Sequence, residues 1–79
     1  MGMRRTTVRL RQVRGYLARL GFRHGGGQGG HQMWSRGGQR VALPHGEGEM
    51  TMVVARGLAR SLGWPSLSRF VAAVREGKS

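Results

Sequence analysis

The stretch HQMWSRGGQRVALP, residues 31–44, decides how the chain folds. Two short runs, HQMWSR and RVALP, flank Gly37-Gly38, a pair suited to the two-residue turn of a β-hairpin. Alternation sends Val41 and Leu43 to one face, and Pro44, which cannot donate to a ladder, closes the second run. In the first run Gln32, Trp34 and Arg36 share one face and His31, Met33 and Ser35 the other. Trp34 offers the larger apolar contribution and is expected to face the core, leaving His31 on the open face. The opposite assignment, with Met33 inward, is the alternative.

Helical patterns lie on both sides of this hairpin. Leu10, Val13, Leu17 and Leu20 recur at three- and four-residue spacing, opposite Arg9, Arg11, Arg14 and Arg19. The spacing predicts a first helix from an N-cap near Thr7, ended by Gly21 in the left-handed conformation with Phe22 folding back. Residues 1–6 are polar and expected to be frayed. FRHGG, residues 22–26, reads as a weak first strand, with Gly25 to Gly27 forming a glycine-rich connection to the next.

After the loop PHGEGE, a second helix begins at Glu49 or Thr51 and runs to Leu62, stopped by Gly63 and Pro65. Its inward residues are Met52 or Val54, Ala55, Leu58 and Leu62. A third starts at Pro65 or Ser66, with Leu67, Phe70, Val71 and Val74 inward. The order αβββαα makes this an α+β domain, with helices on one face of a three-stranded antiparallel sheet.

Seventy-nine residues with 38% hydrophobic content form one small domain. Such a chain buries roughly 60% of its unfolded surface. No cysteine is present to supply a disulfide or a thiolate zinc site. Thirteen arginines and one lysine against three glutamates give a net charge of +11. That excess favours a polyanionic partner: nucleic acid first, an acidic protein second, an anionic membrane third. Arginine-rich coding bias explains arginine over lysine, but not the scarcity of acids. No transmembrane run or signal-peptide pattern is visible, so the expected location is the cytoplasm, with no membrane partner.

The chemistry available is narrow. HExxH and GxxxxGK[ST] motifs are absent, as is aspartate, and the spacing of His24, His31 and His45 matches no zinc pattern. No metal or other cofactor is expected. GGGQGG is a poor nucleotide fingerprint, because no helix opens directly after it. RNA, however, carries its own nucleophile, the 2′-OH. Cleaving it needs a base and positive charge around the phosphate, and histidine is the side chain suited to base catalysis near neutral pH. His31 is the candidate base, with Gly29 and Gly30 clearing its approach. Arg36, Arg40 and His45 are the other candidate RNA-binding residues.

The run YLARLGF…GGH…W…GG-RVALPH…GE resembles the HicA toxins, small mRNA interferases of bacterial toxin–antitoxin pairs. The likeness rests on Gly21-Phe22, the triplet Gly29-Gly30-His31, an aromatic in the next strand, Leu43-Pro44-His45, Gly63, and Leu67 to Phe70, over roughly residues 10–72. It implies a fold like that of double-stranded-RNA-binding domains and endoribonuclease activity on mRNA. It also implies His31 as the catalytic histidine, masked by a HicB-like antitoxin, expected to be acidic. Where the family's second helix often opens with Gly-Thr, this chain has Val53-Val54. His45 is a candidate general acid or a solvated loop residue. The competing reading is a non-catalytic RNA- or DNA-binding module of the same fold.

Overall fold

The computed structural model describes residues 8–28 and 31–77. The expectations for residues 1–6, for Thr7 as a cap, and for Gly29 and Gly30 fall outside those residues. The elements follow in the order α1 (Leu10–Arg19), β1 (Arg23–Gln28), β2 (His31–Arg36), β3 (Gln39–Pro44), α2 (Met52–Ser61) and α3 (Leu67–Glu76). The sheet is antiparallel in the order β1-β2-β3. This is the α+β arrangement expected, with helices covering the face that carries Trp34, Val41 and Leu43.

The β2–β3 hairpin keeps an unbroken register from Arg36↔Gln39 at the turn to His31↔Pro44 at the open end. Gly37 sits at φ 57°, a backbone that glycine adopts without strain. Trp34 is buried opposite Val41, which settles which face points inward. Met33, on the other face, is only half-buried.

Helix α1 starts at Leu10, the first residue of its apolar stripe, later than an N-cap near Thr7 would set it. Val8 and Arg9 are extended, and their backbone pairs with residues 48–50: Leu10 N–H donates to the Gly48 carbonyl and Met50 N–H to that of Val8. Arg9 is therefore the N-cap residue, and the Gln12 side chain accepts from its N–H at 2.9 Å. Val8 enters the core as an extended residue, fully buried. At the other end Gly21 has φ 98°, and the Phe22 and Gly21 N–H groups donate to the Leu17 and Ala18 carbonyls. That double hydrogen bond ends a helix on glycine and folds the next apolar residue back. Helix α2 repeats it with Gly63 and Trp64, which donate to Arg60 and Ala59.

The inward stripe of α1 is Leu10, Val13, Tyr16 and Leu17, with Leu20 only half-buried. Tyr16 meets Phe70 of α3 edge-to-face, ring centroids 6.0 Å apart. Thr51 and Ser66 cap α2 and α3 through their hydroxyls, accepting from Val54 N–H and Arg69 N–H.

The first strand differs most from expectation. Gly25 to Gly27 lie within β1 rather than in a connection, and the pairs His24↔Trp34 and Gly27↔Gln32 leave one extra residue on β1. This is a bulge, a place where glycine is at home and where side-chain alternation leaves no trace.

A candidate RNA-binding groove beside His31

His31 opens β2, between Gln28 of β1 and Pro44 of β3, and its side chain is exposed. Residues 31 and 34 are separated by an odd number, so burying Trp34 turns His31 to the opposite face. By register that face also carries Arg40, Ala42 and Pro44. Over the edge of β3 it runs into a shallow groove of about 300 Å³, walled on the far side by Val53, Gly57 and Ser61 of α2. No carboxylate lines this groove.

Arg40 lines the same groove as His31. Arg40 lies four positions along β3 from Pro44, the partner of His31, which is about 13 Å of strand. One strand of nucleic acid along the groove would thus place different phosphates, rather than a single one, on the two side chains.

The other candidates are placed differently. Arg36 stands at the far end of β2, about 16 Å of strand from His31. Its guanidinium Nη1 donates to the Leu20 carbonyl at 2.8 Å and lies 4.8 Å from the Phe22 ring centroid. There it clamps the end of α1 to the sheet. His45 approaches Gln32, with His45 Nδ1 3.4 Å from Gln32 Nε2. Gln32 belongs to the Trp34 face, so this contact draws His45 away from the side on which His31 lies. The His24 ring lies tilted against that of Trp34, ring centroids 5.2 Å apart. The three histidines therefore do not converge. Among the described residues no three His, Cys, Asp or Glu side chains are grouped to hold a metal ion, and no helix is long and apolar enough to cross a membrane.

The α2 wall was absent from the sequence reading. Its signal was present: Val53, Gly57 and Ser61 recur every four residues, on a face away from the buried Ala55, Leu58 and Ala59. Only the docking of α2 beside β3 turns that stripe into a groove wall.

Neither a scan of protein-family models nor searches of curated proteins and of solved structures finds a match to this chain.

Proposed function

We propose that this chain is a metal-independent endoribonuclease that cleaves mRNA with His31 as general base, acting in the cytoplasm as the toxin of a HicAB-type pair. The observation that carries the reading is an exposed histidine at a carboxylate-free groove shared with an arginine, on a strongly basic chain. The imidazole takes the proton of a 2′-OH, and that oxygen attacks the adjacent phosphorus. The P–O5′ bond breaks, leaving a 2′,3′-cyclic phosphate and a 5′-OH that collects a proton from solvent or from the imidazolium. No metal enters this scheme because the nucleophile belongs to the substrate. Arg40 binds a flanking phosphate. A HicB-like acidic antitoxin would cover His31; the fast, salt-sensitive association that such charge complementarity favours suits a toxin that must be silenced promptly.

The test is His31→Ala. Losing a general base typically costs about 10²–10⁴ in rate, while a positive surface binds ground and transition states alike. Cleavage should fall by that factor with RNA affinity nearly unchanged, and wild-type products should end in 2′,3′-cyclic phosphate. Undiminished cleavage by the folded variant refutes the catalytic assignment. One observation favours the alternative of a non-catalytic nucleic-acid-binding module. Among the described residues His31 has no hydrogen-bond partner to orient its ring, whereas catalytic histidines are commonly held in place by a second group. RNA that is retarded in a gel but never shortened would establish that alternative.

A further inference from the structure

We infer that α2 is a saddle over which a single RNA strand passes from the His31 groove to a second, arginine-lined concavity on the other side of the helix. The inference rests on the proposed function only for the class of ligand.

Gly57 is the first observation. It sits in the middle of α2, exposed, where a Cβ would meet no atom within 4 Å. Glycine weakens a helix interior relative to alanine, and nothing within the folded chain requires it here. Gly15 of α1 is equally open, so what marks this face is the glycine together with the side chains around it. One turn earlier on the same stripe is Val53, 80% exposed, the large hydrophobic side chain left most open among the described residues.

Charge identifies what comes close. Arg56 and Arg60, one turn apart, border the Gly57 stripe, and among the described residues neither guanidinium has a hydrogen-bond or ion-pair partner. Both line a concavity of about 320 Å³ that includes the half-buried Trp64 and no carboxylate. Trp64 rests against Phe70, ring centroids 6.4 Å apart. Two unpaired arginines and a supported aromatic are the elements that hold single-stranded nucleic acid, through phosphates and stacked bases. Two carboxylate-free concavities on either side of α2, one lined by Gly57 and the other by its neighbour Arg56, therefore describe a track for a polyanion with a thin backbone. An acidic protein segment carries the same charge but has no planar base to set on Trp64.

The experiment uses the full chain and a short, fluorescein-labelled 2′-O-methyl oligoribonucleotide, which lacks the nucleophile and cannot be cleaved by the proposed route. Binding is read by fluorescence anisotropy across a salt series. Arg56→Gln combined with Arg60→Gln should flatten the slope of log K against log salt by about 1.4, from ~0.7 per single-strand phosphate, and weaken binding roughly 10–30-fold at 0.1 M salt. Gly57→Ala should raise the melting temperature by about 2–8 °C, as expected for a more helical residue in open space, yet weaken binding. Gly57→Gln, with a longer side chain on the saddle, should weaken it further. The charge-matched control is Arg11→Gln with Arg75→Gln, in the separate groove between α1 and α3.

The inference stands if the arginine pair and Gly57→Gln both weaken RNA binding beyond that control. Any other pattern overturns it. Losses on a poly-glutamate chain that equal or exceed those on RNA would assign the surface to an acidic protein instead. Because the probe is uncleavable and His31 is untouched, these results are independent of catalysis. A wild-type chain that binds as described but never shortens cleavable RNA would sink the nuclease reading alone.

Discussion

Arg36 separates a residue that serves the fold from one that serves the ligand. Replacing it by methionine keeps much of the aliphatic stem and removes the guanidinium. Two interactions are lost. The first is the 2.8 Å hydrogen bond to the Leu20 carbonyl at the C-terminal end of α1, where a cation also meets the negative end of the helix dipole, worth about 0.3–1 kcal/mol at a surface. The second is the guanidinium 4.8 Å from the Phe22 ring centroid, worth about 0.5–1 kcal/mol at an exposed site. Arg36 is exposed, so Arg36→Met should destabilise the domain by about 1–2 kcal/mol. In a domain of this size that lowers the melting temperature by roughly 4–15 °C. Circular dichroism at 222 nm reads the shift, and a double-mutant cycle with Phe22→Leu isolates the share of the ring. RNA affinity, measured at a temperature where both proteins are folded, should fall by no more than one lost surface charge accounts for. An unchanged melting temperature with RNA binding reduced more than about tenfold would refute the reasoning and return Arg36 to the nucleic-acid interface.

Other perturbations test the core, the helix end and the groove. Leu17 is fully buried, so Leu17→Ala should cost about 2–5 kcal/mol, and chemical denaturation should place its midpoint far below wild type. Gly21→Ala forces a Cβ onto a backbone at φ 98°, with the Arg36 Cδ 3.4 Å from it. A loss of about 1–2 kcal/mol is expected, again by denaturation. Arg40→Gln should raise KM or weaken RNA binding and leave kcat within a few fold, since Arg40 sits about 13 Å of strand from the partner of His31. A kcat loss comparable to that of His31→Ala would place Arg40 on the reacting phosphate instead.

Where residues announce a period, the fold was legible. The hairpin, the stop at Gly21 and the stripes of α2 and α3 all follow from local spacing, and the structure has them. Three features were not local. The start of α1 is set by Val8 and Arg9 pairing with residues 48–50, a contact between distant parts of the chain that no capping pattern reveals. The length of β1 was hidden because Gly25 to Gly27 have no side chains to alternate. Tyr16 was passed over among the aliphatic residues, although its ring is buried against Phe70. The site divides in the same way. The exposure of His31 followed from strand parity, whereas the capture of Arg36 by Leu20 and Phe22, and the α2 wall of the groove, depend on how separate elements dock.

Parity also joins the site to the core. A one-residue slip of β2 against β3 would send Trp34 to solvent and His31 inward, since alternate residues exchange faces. Trp34 opposite Val41, Gln32 opposite Leu43 and the turn at Gly37-Gly38 all oppose that slip. Burying a tryptophan in place of a histidine favours the native register by apolar area alone, before any functional demand is considered. Nothing specific to His31 is then needed to expose it: the imidazole faces outward because the indole three residues on faces inward. The groove is built on the same decision. Arg40 shares the His31 face because Val41 shares that of Trp34, and the α2 wall docks against the apolar side of the same two strands. A substitution that loosens Trp34, which does not line the groove, would therefore disturb it from behind, and His31 is only as well placed as the packing behind it.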